Sequence, residues 1–589
     1  MPQRPNKLSR FWQELKRRKV VHVITVYASS SFVIIELINN LADTLKFPPN
    51  LLTIVVIALA VGFPLAIVLS WLYDLTSEGI EKTKPLEELK EGEKTTVPNA
   101  WRIATIVSFI VIVGLAVLNI MGGDRKIHAG DIQSLIILPF ENFTGDDQLE
   151  NMIYSMHSLL IGDIGRISGL RVRGKQSSQI YKDTDMSAKE IAMESNVDAV
   201  LESTIMTLGD SVCMQFRLIC TTGEEYQIWS GDYCKDKRQI LNLFNRITRQ
   251  VADEVKIELT PEEERLLSKS RTVDREAFDD YLKSGYFIDD GSKESLYKAM
   301  EYLNSAIQKD PGWAPLYKQL AVVWLTISQM GYESPEITGP KILANRNQAL
   351  ELDPDINLHG QNALIAYTRE WNWEKSEKEY LKAIAMNPND ANARVLYGHL
   401  LCILQRPGEA LTQGQLAIEL DPNNESVQVF YSLILLVVGD CETALTIGEK
   451  LVATNPDHVF GNNIIEAAAY QCGDYDRMFE ATKHILFFEK DSINKIQMIY
   501  EEQGVVAAYE EIANQMEVIV QNGYISPVIM AIMYIYADRP DRAMDWLEKG
   551  KKPDQQMPYI ATGYNLDTLY DNPRFIAILD KMNLPHPIK

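Results

Sequence analysis

Five prolines constrain the fold of this chain more tightly than any other feature. Pro311 in QKDP, Pro354 in ELDP, Pro388 in AMNP, Pro422 in ELDP and Pro456 in ATNP follow one another at intervals of 43, 34, 34 and 34 residues. A strict period of this length fits a helix, a turn and a second helix, a unit that cannot bury its own apolar face and must stack on copies of itself. Small residues recur where the two helices of such a unit meet: Ala299 and Ala306, Ala383, Gly398, Gly408, Ala410 and Ala417, and Ala444. Asn389-Asp390, Asn423-Asn424 and Gly439-Asp440 supply turn signals between helices. The 43-residue interval reads as one unit with an insertion around Gly331 to Gly339, and fainter copies run over 459–490 and 526–550, where Ala543, Trp546 and Leu547 return in register. An all-α superhelix over residues 270–556 is therefore predicted.

This pattern resembles the tetratricopeptide repeat, whose stacked units present a concave surface to peptides or protein segments. Projecting the repeat onto the chain places Gln361, Thr368 and Arg369, then Asn392, His399 and Cys402, on inner helices facing that groove. A protein or peptide ligand is the expected partner. The stretch MPYIATGYNLDTLYDNPRFIAILDKMNLP, within the last segment 557–589, resembles the cap that ends such arrays when they are joined to TolB/FlgO-type domains. Its Tyr559, Tyr564, Tyr570 and Phe575 read as packing residues.

Upstream, the periodicity changes. SLIILPF reads as a buried strand, Leu149 to Ile167 as an amphipathic helix, Gly169 to Arg173 as a short strand and Ser187 to Ser195 as a second helix. Ala199 to Thr207 is a third strand, 211–221 and 227–234 alternate around Thr222-Gly223 as a hairpin, and Ile240 to Ile257 is a closing helix. The order βαβαββα makes one small α+β domain over 132–258. LIILPFENFTGDDQLENMIYSM, ISGLRVRGKQSSQIYK, EIAMESNVDAVLEST and QIWSGDYCKD resemble the TolB N-terminal/FlgO-type domain, which implies a binding or assembly module outside the cytoplasm. Gly169-x-x-x-x-Gly174-Lys175 matches most of a phosphate-binding loop, but Gln176 stands where a magnesium-holding Ser or Thr belongs, and the segment reads as strand and turn.

The N-terminal part is predicted to hold three transmembrane helices at 20–38, 51–73 and 103–121. The last two are uncharged and long enough for about 30 Å of hydrocarbon. The first carries His22, Ser29 to Ser31 and Glu36, so an interfacial helix competes with a crossing. A basic N-terminus, residues 1–19, and lysines in the charged loop 74–100 favour three crossings, with both of those stretches cytoplasmic. FWQELKRRKVVHVITVYASSSFVIIELINN and SWLYDLTSEGIEKT resemble the anchor that precedes TolB/FlgO-type domains in bacterial membrane proteins. The expectation is a multi-pass protein of the bacterial inner membrane, held by the lipid bilayer through 20–121, with its later domains periplasmic.

Composition limits the chemistry. A net charge of −22 over 589 residues argues against nucleic acid as a partner. Six cysteines lie far apart with no CxxC pair, so neither a metal site nor a disulfide framework is indicated; Cys213 and Cys234, which face each other across the predicted hairpin, read as small buried hydrophobes. No GxSxG, HExxH or strand-linked GxGxxG occurs, and no catalytic residue or cofactor is expected. The chain thus reads as a multidomain interaction scaffold. The alternative is a transmembrane signalling protein that recruits a separate output protein, since related architectures carry a DNA-binding or nucleotide cyclase domain that the pieces before residue 103 are too short to hold.

Overall fold

In a computed structural model of the chain, the described residues comprise scattered positions between 20 and 82 and nearly all of 132–587, apart from short gaps such as 209–210, 270–271 and 551–553. Two units form, 1–126 and 127–589.

The first unit corrects the membrane reading. Among the described residues no helix is long and apolar enough to cross a membrane. Helical residues occur between 20 and 35 and between 55 and 70, where the Tyr27 hydroxyl donates to the Leu59 carbonyl at 2.8 Å and its ring lies 5.6 Å from Phe63. About half of 20–38, most of 51–73 and all of 103–121 lie outside the described residues. The end of the second predicted span is not helical: Tyr73–Thr76 forms strand β1 and pairs antiparallel with β2, Gly79–Lys82, in the register Tyr73↔Lys82. An apolar run says that a segment is buried, not what it is buried in. Three spanning helices are thus not found among the described residues, and the multi-pass inner-membrane and periplasmic placement that rested on them falls with them.

The second unit begins with the sheet. β3 (Ser134–Ile137) has all four residues buried and lies between two parallel neighbours, β5 (Arg171–Val172) and β6 (Ala199–Leu208), as a near-continuous apolar run should. β7 (Ser211–Cys220) and β8 (Tyr226–Asp236) extend the sheet antiparallel, giving the order β5-β3-β6-β7-β8, with the two-residue β4 (Glu141–Asn142) also on β6. Helices α1 (Glu150–Ile164) and α4 (Ile240–Glu254) cover one face; α3 (Ala188–Ser195), started by a Ser187–Glu190 capping box, packs through Ile191 and Ala192 on Ile136 and Val200. A five-residue helix, α2 (Lys175–Gln179), starts immediately after Gly174, where a turn is expected from the sequence.

The repeats follow as antiparallel helix pairs. α6 (Arg275–Asp290) and α7 (Lys293–Lys309) lead into α8 (Ala314–Gln329) with α9 (Pro335–Leu352), and α12 (Ala391–Ile403) with α13 (Pro407–Leu420). Between these pairs, α10 (His359–Ile365) runs into a π-helical turn, Ala366–Glu370, and pairs with α11 (Trp373–Met386). The longer first interval goes largely into longer helices, 16 and 18 residues for α8 and α9 against 13 and 14 for α12 and α13. Ala299, Ala306, Ala383, Ala410, Ala417 and Ala444 are buried as the pattern requires, whereas Gly408 is exposed. The sheet domain and the first repeats share one hydrophobic core, in which Met156, Leu160, Leu243 and Ile247 pack with Phe278, Leu282, Leu303 and Trp313.

Two disulfides correct the cysteine reading. Cys213 and Cys234 are direct cross-strand partners in β7 and β8, with Cα atoms 4.0 Å apart, and are joined. Cys441 and Cys472 join the start of α15 (Cys441–Thr454) to the end of α16 (Val459–Cys472). Antiparallel pairing brings ends together that are 31 residues apart in sequence, a proximity that spacing cannot reveal. Cys220 and Cys402 are free and buried.

Candidate functional site

The inner helices of the array carry the six groove residues expected from the sequence, but the structure does not gather them into an open groove. Asn392 is exposed at the start of α12. His399 and Cys402, further along the same helix, are buried, and burial pushes the Cys402 thiol up to about 12. Thr368 and Arg369 lie in the π-helical turn: the Thr368 hydroxyl donates back to the Leu364 carbonyl at 2.6 Å, and the Arg369 guanidinium donates to the Pro335 carbonyl at 3.2 Å. Arg369 lies against Gly339, where a Cβ would overlap it. The Gln361 amide donates to the Lys318 carbonyl at 3.1 Å while its own oxygen is buried without a partner.

The groove is closed because the C-terminal segment fills it. A 3-10 turn at Met557–Ala561 delivers Tyr559 to the inner helices. Tyr367 donates to the Tyr559 hydroxyl at 3.3 Å, Tyr559 donates to His399 Nδ1 at 3.0 Å, and His399 Nε2 donates to the Phe430 carbonyl at 2.9 Å. This one chain of donors fixes the imidazole tautomer. Burial holds His399 neutral, its pKa drawn down to about 4. Gln405 donates to the Ala561 carbonyl, and the Trp373 indole donates to the Met582 carbonyl at 3.0 Å. The final helix, α22 (Pro573–Met582), is tied to the last repeat by Arg574, paired with Asp545 and Glu548 at 2.8 Å. The segment expected to cover only the end of the stack therefore also reaches back to repeats near residue 370. Tyr559 and Phe575 pack as expected; Tyr564 lies outside the described residues.

A second arrangement was not anticipated. The turns between successive repeats form a row on which the sheet domain sits. Asn389 uses its whole amide there: the nitrogen donates to the carbonyls of Gly165 and Leu170 at 2.9 and 2.8 Å, and the oxygen accepts from Val172 N–H at 2.9 Å. One repeat later, the buried Asp421 carboxylate accepts from the N–H and hydroxyl of Ser177, at 2.9 and 2.6 Å, while Gly174 N–H donates to the Leu420 carbonyl at 2.9 Å. A Cβ at Gly174 would fall 2.2 Å from Asp421, so glycine is required by this close approach. The phosphate-loop-like glycine and the start of α2 are thus occupied by the array's own carboxylate. One repeat earlier, Asp355 and Asp353 pair with Arg265 and Lys269, at the end of α5 (Pro261–Leu267), at 3.0 and 3.2 Å. The sequence signal was available, since Asn389 and Asp421 stand in equivalent proline turns, but turn chemistry explains such residues without a partner.

Comparison with known proteins agrees with the repeat. Residues 379–412, from the second half of α11 through α12 into the start of α13, match a family model for the tetratricopeptide repeat. A protein of Rhizobium meliloti (strain 1021) named "Putative adenylate cyclase 3" is 27% identical over 239 residues, which are 40% of this chain and 39% of that protein. The chain thus spans about two fifths of the length of that relative. Among solved structures, a tetratricopeptide repeat protein from Parabacteroides merdae ATCC 43184 is similar at 16% identity over 53% of this chain and 100% of that one, with a TM-score of 0.26. Yeast Tom70 is similar at 18% identity over 52% and 69%, with a TM-score of 0.31; neither superposition carries an argument about this chain. The period, the paired helices and the family match together show that this chain carries tetratricopeptide repeats.

Proposed function

We propose that the chain is a protein-interaction scaffold without catalysis of its own, whose array binds a protein partner along the exposed N-terminal ends of its inner helices. The observation that carries this reading is a position that stays exposed through three successive inner helices: Asn392 in α12, Ser426 in α14 (Glu425–Val437) and Phe460 in α16. They stand one 34-residue period apart, and Phe460 keeps 37% of its surface in water, beside Val459 at 40%. Deeper along α12 the C-terminal segment takes the space, so this edge is the part of its inner surface left to a ligand. An exposed aromatic beside an exposed aliphatic is a common anchor of protein interfaces.

The test places a photo-reactive amino acid at position 460 in the cell of origin, identifies the protein cross-linked there, and titrates it against purified wild type and Phe460→Asp. Binding at least tenfold weaker in the variant supports the reading. Equal binding refutes the edge as the site, and failure of every exposed array position to capture a protein refutes the scaffold.

The name of the Rhizobium relative favours a second reading, in which the shared region regulates an output activity that a separate chain supplies here. It differs in one respect: the captured protein would itself be an enzyme whose rate changes on binding.

A further inference from the structure

Where the sheet domain meets the first repeats, a cavity of about 890 Å³ opens between α1 and α4 on one side and α6 and α8 on the other. Apolar side chains, Leu159, Leu282, Ile288, Val322 and Trp313 among them, share its walls with charged and amide residues, and its size is in the range of small-molecule sites. Two polar features of these walls stand out. The Ser155 hydroxyl is buried, its residue only 5% exposed, and has no hydrogen-bond partner. Gly285 opposite leaves it room, since a Cβ there would come within 3.0 Å of that oxygen.

The second feature is a charge. Seven charged side chains line the cavity, and six are engaged in ion pairs: Asp163 with Arg166, Asp289 with Lys175, and Lys269 with Asp353 and Asp355. The seventh, Lys318, forms no ion pair among the described residues. The charges it feels most are Arg166, which is already paired, and Asp390, whose carboxylate caps α12 by accepting from Ala393 N–H at 2.9 Å. An ammonium withdrawn from water costs free energy unless an anion joins it. Burial draws the Lys318 pKa down to about 8.

We infer that this cavity binds a small organic monoanion, a carboxylate on an apolar body, with Lys318 as its counter-ion and Ser155 as a hydrogen-bond donor. One unpaired point charge suits a single carboxylate, whereas a phosphate ester would call for more positive charge than the recess supplies. The site is separate from the edge proposed for the protein partner, and it lies at the seam between the two halves of the unit.

Octanoate and octanol, matched in apolar length, serve as probes in calorimetric titrations of the full chain. Saturable octanoate binding at least tenfold tighter than octanol is expected in the wild type. Lys318→Met, which keeps the side-chain length, is expected to erase that tenfold while leaving octanol unchanged, and Ser155→Ala to weaken octanoate severalfold without loss of stability. Equal binding of the two probes, or no saturable octanoate binding, overturns the proposal on wild type, whether or not Lys318→Met folds. Unchanged octanoate affinity in a folded Lys318→Met also overturns it.

Discussion

Glu466 shows what a single residue contributes when its surroundings are apolar. It lies buried in α16, accepts one hydrogen bond from the Thr482 hydroxyl at 3.2 Å, and burial raises its pKa to about 7. A carboxyl raised in the folded state binds its proton more tightly there than in the unfolded chain, so its contribution is complete below about pH 4.5 and is lost as pH rises through about 7. The loss is roughly 3 kcal/mol, at about 1.4 kcal/mol per unit. Urea unfolding at pH 5 and pH 8 should therefore show Glu466→Gln gaining on the wild type by about that amount at the higher pH; a constant difference between the two would refute the assignment. His157 and His399, both drawn down to about 4 by burial, act in the opposite sense and lose stability as pH falls, which is why the difference from wild type is the quantity to read. Tyr559→Phe removes the link between Tyr367 and His399 and should cost about 1–3 kcal/mol, the penalty for an unsatisfied buried acceptor, in the same assay. None of these roles was legible in the sequence: a histidine at an inner-helix position reads as facing a ligand, and only the fold shows that the ligand is Tyr559 of the same chain.

At the scale of elements, legibility followed local pattern. Strands β3, β6, β7 and β8 and the helices of the array announce themselves through alternation, apolar runs and the 34-residue period, because each is stabilised by a face that repeats in sequence. α2 does not, since its start is set by Asp421 and Leu420, more than 240 residues away. The apolar run at 51–73 misled for the converse reason, as its last residue belongs to the β1–β2 hairpin. Asp421→Ala should release α2 and cost about 2–4 kcal/mol, since it strips two buried donors of a charged acceptor; hydrogen exchange at Ser177 N–H reports it, and unchanged protection would show that α2 holds itself. Removing the Cys441–Cys472 link with serines should lower stability by about 2–4 kcal/mol without altering helix content, as read by circular dichroism during urea unfolding. A loss of helix in the native variant would mean that the link builds the repeat rather than restrains it.

Across the second unit, the sheet domain and the array form one body. A shared core joins α1 and α4 to the first repeats, and the row of turns at Asp353, Asn389 and Asp421 carries the rest of the sheet domain. The C-terminal segment then closes the inner surface from Trp373 to Gln405, leaving the edge at Asn392, Ser426 and Phe460 for a partner. Residue spacing predicts a groove and a cap as separate features; that the cap fills the groove depends on superhelical curvature, which no local signal encodes. The most direct test of this arrangement is hydrogen exchange with mass spectrometry on the intact chain, following 171–179 and 557–582 against the inner helix 391–403. Exchange in both segments as slow as in that helix is predicted, because the N–H groups of Val172, Gly174 and Ser177 bond to the array and the second segment is anchored to it through Tyr559 and the Ala561 and Met582 carbonyls. Exchange of either segment within seconds, while 391–403 stays protected, would contradict the account and return the groove to an outside ligand.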